Sequence, residues 1–299
     1  MALLICVLLL FLFPLRNINA LPQPPNPGYQ VSTRYPPVDF KQWFKNLWGP
    51  TNQRLDGETL TVWLNQKSGS GFTSKHAYWA GYLSVEMKLQ QGYTAGVDTS
   101  IYLSSTRDYA HEHDELDFEF LGNVEGKPYV LQTNVLTKQS TEADGYAQGR
   151  EQQFNLWFDP TADFHRYAIL WNPKEVIFFV DDVPIRRYRN KAGYSFLTKP
   201  MWCFGSIWDA SSWATDNGLY KTNYAYQPFF AEYRNIAIHG SPSPSAAMTR
   251  RFTASPDGLF GLSPQQMSAM RWVRNNYMIY NYCRDKTRNP LDSSECRRL

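Results

Sequence analysis

The chain has 299 residues, 30 basic against 27 acidic side chains, a formal charge of +3 and 43% hydrophobic residues. This is an ordinary globular balance, with no lysine and arginine stripe dense enough for a nucleic-acid partner. Aromatic residues make up 16%, including ten Trp and nineteen Tyr; most suit a β-rich core, and the rest fit a carbohydrate binder, because aromatic faces stack on sugar rings.

Residues 1–20 carry an unbroken apolar run from Ala2 to Phe13, then Pro14, and close on Asn19-Ala20. This reads as a secretory signal, charged only at its amino terminus and too short to span a bilayer. No second such run follows, so the mature chain is expected to be soluble and secreted, with no membrane partner after signal removal. The cysteines then meet an oxidising compartment. Cys6 leaves with the signal, and Cys283 and Cys296, in a short turn-rich tail, are the expected bridge. Cys203 sits in the buried-strand sequence Met201-Trp202-Cys203-Phe204-Gly205 and reads as a small hydrophobe.

Residues 21–37 are rich in Pro, Asn and Gly and read as an irregular arm. From Phe40 to about Gly240 short strands follow one another: Thr59–Leu64, Gly81–Leu89, Thr99–Leu103, Glu115–Leu121, Tyr129–Val135, Gln152–Trp157, Phe164–Asn172, Glu175–Val180, Met201–Trp208 and Phe229–Ile238. Turns fall at Asp56-Gly57, Ser68-Gly69-Ser70-Gly71 and Asp181-Asp182-Val183-Pro184. Even strand spacing without long helical patterns indicates an all-β antiparallel sandwich or barrel, and about 200 residues favours a two-sheet jelly roll. Residues 240–245 form a linker. Ser263-Pro264-Gln265-Gln266 then signals a helix start, with a Ser cap, Pro at the first helical position and Gln three after the cap. Met267, Met270 and Val273 give that helix an apolar stripe for packing, and Tyr277–Tyr282 alternates as though extending a sheet. The expected organisation is a signal over 1–20, a jelly-roll domain with its arm over 21–240, and an extension over 241–299 packed against it.

The stretch His111–Gly122 organises the chain. With a period of two, Glu115, Asp117 and Glu119 share one face and Leu116, Phe118 and Phe120 the other. Aligned acids repel one another, so the row asks for a chemical use. Glycoside hydrolysis supplies one: a carboxylate acts as nucleophile or base, and a carboxylic acid protonates the leaving oxygen. Same-face neighbours lie ~6.6 Å apart at Cα and the outer pair ~13 Å, against the ~5–5.5 Å between carboxyl groups of retaining enzymes. Glu115 and Glu119 therefore serve one sugar only if their side chains lean inward over a concave, twisted sheet. The expected roles are Glu115 nucleophile, Glu119 acid/base, and Asp117 between them, steadying the nucleophile and raising the acid's pKa with its own charge. A metal site using His111 and His113 is the competing reading; the histidines precede the strand and no second ligand cluster follows, so no metal and no cofactor is expected. A plain acidic edge strand is the other. On the next strand Gln132 and Asn134 share a face. A hairpin over 122–128 sets them beside the acids, where amides suit sugar hydroxyls and equally suit cross-strand bonding.

His113-Asp114-Glu115-Leu116-Asp117-Phe118-Glu119-Phe120-Leu121-Gly122 resembles the catalytic signature of the plant xyloglucan endotransglucosylase/hydrolases of glycoside hydrolase family 16. The resemblance continues through Leu131–Asn134, Leu156–Pro160, Val180–Arg186, Ser206–Thr215 and Tyr280–Cys283. It implies a β-jelly roll with a long open cleft, a retaining mechanism with Glu115 as nucleophile and Glu119 as acid/base, and xyloglucan as both donor and acceptor. It also implies a secreted, monomeric cell-wall enzyme. By the same resemblance, donor-chain contacts fall on Gln132, Thr133 and Asn134 and on Gly149, Arg150 and Glu151 after a loop, and further substrate contacts on Ser212 and Trp213 and on Arg288. The chain departs from the family in four places. Asn123-Val124-Glu125 is not a glycosylation sequon, Ser241 to Thr253 contains no cysteine, Ser211-Ser212 replaces the usual Asp-Asp, and Lys138 to Gln148 is a longer loop. The last two features resemble the subgroup in which hydrolysis can dominate over transfer. The alternative class, a non-catalytic carbohydrate-binding jelly roll, has no need of two Glu flanking an Asp.

Overall fold

The computed structural model describes residues 21–137, 149–245, 251–287 and 293–296. The expected signal, the 138–148 loop and Arg288 lie outside the described residues. In chain order the strands are β1 (Phe44–Trp48), β2 (Gln53–Asp56), β3 (Thr59–Leu64), β4 (Ser70–Tyr78), β5 (Ala80–Leu89), β6 (Val97–Ser104), β7 (Glu115–Leu121), β8 (Val130–Leu136), β9 (Gln152–Phe154), β10 (His165–Asn172), β11 (Glu175–Val180), β12 (Val183–Arg189), β13 (Met201–Asp209), β14 (Phe229–Ser241) and β15 (Met278–Asn281). Helix α1 is the single turn Phe40–Trp43, and α2 spans Pro264–Asn276. A front sheet runs β1-β4-β13-β6-β7-β8-β9-β15 and a back sheet β12-β11-β10-β5-β14-β3-β2, all pairs antiparallel. This is the expected β-sandwich.

Period-two alternation explains the layering. Leu116, Phe118 and Phe120 of β7 point between the sheets and are fully buried. Phe118 meets Phe178 edge-on at 5.3 Å, and Phe120 meets Tyr167 at 4.6 Å, both rings of the back sheet. Each such pair adds about 0.5–1.5 kcal/mol beyond the area it buries. The outer face of the back sheet is covered too: Tyr82, Leu170, Ile177 and Phe179 pack against Val31, Tyr35, Phe252 and Ala254. Strand β11 shows no polar alternation because neither of its faces meets water. The N-terminal arm is irregular, as expected, yet it is a packed layer.

Some strand edges differ from the sequence reading. Ser70 and Gly71 belong to β4, not to a turn; a Cβ on Gly71 would fall 2.3 Å from the Trp48 indole, so this glycine serves a close approach. Strand β14 continues through Gly240 and Ser241 instead of ending in a linker, because the Tyr78 ring lies over Gly240, 2.4 Å from where a Cβ would stand. The turn at 181–184 narrows to Asp181-Asp182, both with positive φ (48° and 62°), and β12 starts immediately after. That is the backbone shape of a two-residue hairpin, and Pro184 is tolerated because β12 is an edge strand. Strands β1 and β2 carry too weak an alternation to be read from sequence.

The C-terminal segment is built into the sandwich. Ser263 and Gln266 form the expected capping box, α2 packs on β12, and β15 pairs with β9 at the edge of the front sheet. Cys283 and Cys296 are bonded and Cys203 is buried, as expected, and Cys203 is free. A buried ion pair locks the tail: Arg186 donates to Glu295 at 3.0 and 2.7 Å and to the Thr133 carbonyl at 2.9 Å, and the Tyr282 hydroxyl donates to Glu295 at 2.9 Å. Arg186→Met would strand a buried carboxylate and is expected to cost ~3–5 kcal/mol in urea unfolding, most of it recovered when Glu295→Leu is added. A single-variant cost under about 1 kcal/mol would show that the pair does not lock the tail.

Candidate active site

Strand β7 lies inside the front sheet, between β6 and β8. Because its apolar residues are committed to the core, Glu115, Asp117 and Glu119 must stand together on the outer face. The register sets Ser104, Tyr102 and Ser100 beside them on β6, and Leu136, Asn134 and Gln132 beside them on β8. The hairpin thus delivers Gln132 and Asn134 to the acids, as the spacing predicts.

The three carboxyl groups sit in different surroundings. Glu119 accepts from Gln132 Nε2 at 2.7 Å, and Gln132 accepts from Gln153 Nε2 at 2.7 Å. Burial raises the Glu119 carboxyl, the Gln132 bond opposes this, and the charges of Glu115 and Glu151 add to the rise, leaving it at about 7. Glu115 is also raised by burial, opposed by Ser104, His113 and Thr106. Thr106 Oγ1 lies 3.5 Å from Glu115 Oε2, Ser104 is bonded to Thr106, and His113 Nε2 stands 4.0 Å from the same carboxyl. Asp117 is pushed well above the usual carboxylate range, by burial first and then by Glu115 and Glu119 on either side. Three like charges cannot all persist here, so the central residue keeps its proton. The charges that raise Glu119 are therefore Glu115 and Glu151, not Asp117. His111 and His113 do not gather ligands, and among the described residues no group of three or more His, Cys, Asp or Glu is placed to hold a metal ion.

Beyond Glu119 a cavity of about 490 Å³ opens, lined by Leu121, Gln132, Glu151, Trp213 and Tyr280 among others. It unites residues from β7, β8, the 149–151 segment, the 213 turn and β15. Asn134 Oδ1 accepts from the backbone N–H groups of Arg150 (2.7 Å) and Val135 (2.9 Å), which fixes its amide orientation. Gly149 lies close beside it: a Cβ there would fall 1.9 Å from Glu151 Oε1, so a larger residue would move the Glu151 carboxylate. Thr133 and Arg150 do not reach the open face with their side chains. Thr133 alternates inward opposite Phe118, and the buried Arg150 guanidinium donates to Ser195 Oγ at 2.7 Å and the Val135 carbonyl at 3.3 Å. Ser212 is exposed on the turn beside Trp213, and Arg288 lies outside the described residues.

The sequence reading missed Trp208 and Asp98. Trp208 is 36% exposed, 6.2 Å from Trp213 by ring centroids, and donates its indole N–H to Asp98 Oδ2 at 2.9 Å. A signal was available: Asp98, Ser100, Tyr102 and Ser104 are the polar phase of β6, on the same face as the acids.

Residues 40–226 match glycosyl hydrolases family 16, and residues 245–296 match the xyloglucan endo-transglycosylase C-terminus. The chain is 50% identical over 272 residues to xyloglucan endotransglucosylase/hydrolase protein 31 of Arabidopsis thaliana, covering 91% of this chain and 92% of the relative. It is 42% identical over 265 residues to xyloglucan endotransglucosylase/hydrolase protein 24 of the same plant, covering 87% and 91%. Among solved structures it resembles the β-glucanase of Bacillus licheniformis (TM-score 0.53, 20% identity, 67% of this chain and 92% of that one). It also resembles the apo Crh5 transglycosylase (TM-score 0.53, 24% identity, 75% and 90%). At such identities the structural likeness establishes the sandwich fold alone.

Proposed function

The chain belongs to the xyloglucan endotransglucosylase/hydrolases of glycoside hydrolase family 16, and from that premise we propose that Glu115, Asp117 and Glu119 divide a retaining reaction on xyloglucan among them. Glu115 attacks the anomeric carbon while Glu119 protonates the departing glycosidic oxygen, leaving a glycosyl ester on Glu115. Glu119, now ionised, removes a proton from the incoming hydroxyl, which belongs either to water or to a second xyloglucan chain. Asp117, between them on the same face and favoured in its protonated form by burial, steadies Glu115. The observation that carries this reading is the placement: Glu115, Asp117 and Glu119 stand together on the outer face of β7, with Glu119 held by Gln132 at 2.7 Å and Glu115 beside Thr106 and His113, and burial favours the protonated acid at Glu119.

Because Glu119 serves the leaving group, the departing and accepting chains lie on its side, toward Trp208, Trp213, Gln132 and Glu151. Asn134 and Gly149 support that wall, and Thr133 and Arg150 act from behind it. Arg288 and Ser212 complete the proposed set. We take residues 21–240 as the catalytic unit, 241–299 as its packed extension, and the mature enzyme as a monomer secreted through the 1–20 signal to the cell wall, where it remodels xyloglucan. The deciding experiment is product analysis on xyloglucan with and without an oligosaccharide acceptor, and rapid acceptor incorporation with no new reducing ends would overturn the hydrolysis-favouring assignment. That assignment rests on the length of Lys138–Gln148 and on Ser211-Ser212. Shortening the loop is expected to raise the transfer-to-hydrolysis ratio severalfold, and an unchanged ratio would remove it from the account.

A further inference from the structure

Asp98 is buried, one register step diagonally from Glu119, which pairs with Ser100. Its Oδ2 holds the Trp208 indole N–H at 2.9 Å, and its buried Oδ1 has no hydrogen-bond partner. The chain just after Trp208 is already pinned without the Asp98 carboxyl, and Trp208 itself lies in the β13 ladder with β6. Asp209 accepts from the Ser211 N–H (2.9 Å), Thr222 Oγ1 (3.0 Å) and the Tyr224 hydroxyl (2.7 Å), and the Ala210 N–H donates to the Gly96 carbonyl at 2.8 Å. The backbone is therefore fixed by other groups, and the bond to Asp98 has only the ring left to fix. The Trp208 ring is 36% exposed and its one polar atom is held by Asp98; an indole whose N–H is released can shift its plane, and a turned ring stacks poorly on a sugar.

We propose that Asp98 is a positioning residue for the acceptor: its carboxyl sets the plane of the Trp208 indole against which the incoming sugar stacks, and so governs how well a sugar hydroxyl competes with water for the glycosyl-enzyme. The inference rests on the assignment of Glu119 as acid/base, which puts the acceptor on this side. Burial, with the Glu119 charge adding to it, holds Asp98 well above the usual carboxylate range. A neutral carboxyl accepts from the indole through one oxygen, and a carboxamide does the same, so Asn should replace Asp here.

The test uses the full-length enzyme with xyloglucan as donor and a labelled xyloglucan oligosaccharide as acceptor. Asp98→Ala is expected to raise the acceptor KM roughly three- to tenfold, the value of one hydrogen bond, with the effect on KM and not on kcat at saturating acceptor. Asp98→Asn should keep the wild-type acceptor KM and pH profile. In the Trp208→Phe background, which removes the N–H from the other end of the bond, Asp98→Ala should add nothing, because the two positions act through one bond. The inference is overturned by an unchanged acceptor KM in Asp98→Ala, by equal losses in the Ala and Asn variants, or by full additivity with Trp208→Phe. Should Asp98→Ala fail to fold, the Asn variant and Trp208→Phe decide it: Asn must behave as wild type, and Trp208→Phe must raise acceptor KM. A wild-type enzyme inert on xyloglucan would instead overturn the functional reading itself.

Discussion

Glu115→Ala is expected to lower turnover of xyloglucan by roughly four orders of magnitude or more, since the covalent route disappears with the carboxylate. No neighbour can take over. Asp117 loses the Glu115 charge in this variant, but burial, the largest cause of its raised pKa, remains and still favours the protonated acid, a poor nucleophile. Glu119 is committed by its Gln132 bond to the leaving-group side. Binding should survive, because the sugar platforms stand on β8, the 149–151 segment and the 213 turn, not on the nucleophile. Truncating Glu115 also leaves a gap that a small anion fills. Added azide is expected to restore turnover in part and to yield a glycosyl azide of inverted configuration, which a binding protein with an accidental activity would not do. The comparison to run is kcat and xyloglucan affinity for wild type and variant, followed by product analysis with azide. Residual activity within tenfold of wild type would remove Glu115 from the nucleophile's role.

The legible part of this molecule was the part written in period two. Leu116, Phe118 and Phe120 on one phase with Glu115, Asp117 and Glu119 on the other specified both the core side and the chemical side of β7, and the hairpin to β8 followed. The capping box at Ser263 was readable for the same reason: a local rule with few alternatives. Two kinds of information were hidden. Glycines at 71 and 240 look like turn formers, but they lie in strands because Trp48 and Tyr78 pack on them, and that packing partner is distant in sequence. The polarity of a side chain also fails to tell which side of a wall it serves. Arg150 looks like a substrate clamp, yet its guanidinium is wholly buried beneath Asn134 and holds Ser195. Asp98 differs: the polar phase of β6 marks its face, but its partner Trp208 comes alongside only when β13 pairs with β6.

Glu119→Gln tests the other half of the pair, and its effects run in two directions. Cleavage needs Glu119 protonated, so wild-type kcat/KM should fall as pH rises through about 7, where burial and the charges of Glu115 and Glu151 set this group. The amide cannot give up a proton, and cleavage of xyloglucan is expected to drop by about 10²- to 10⁴-fold. A donor with an aryl leaving group needs little protonation, so it should lose far less and lose the alkaline limb of its profile. Stability should move the opposite way. The group titrates near 4.5 when unfolded and about 7 when folded, so between these values the native state binds the extra proton. Wild-type stability therefore falls as pH rises from about 4.5 to 7, by on the order of 3 kcal/mol from this residue, and stays at the lower level above it. Glu119→Gln removes that loss: the variant should match wild type near pH 4 and exceed it at pH 8, read as unfolding free energy from urea titrations at the two pH values. Parallel pH dependences in the two proteins would mean that Glu119 is not held protonated by the fold, and the acid would have to be sought elsewhere on this face.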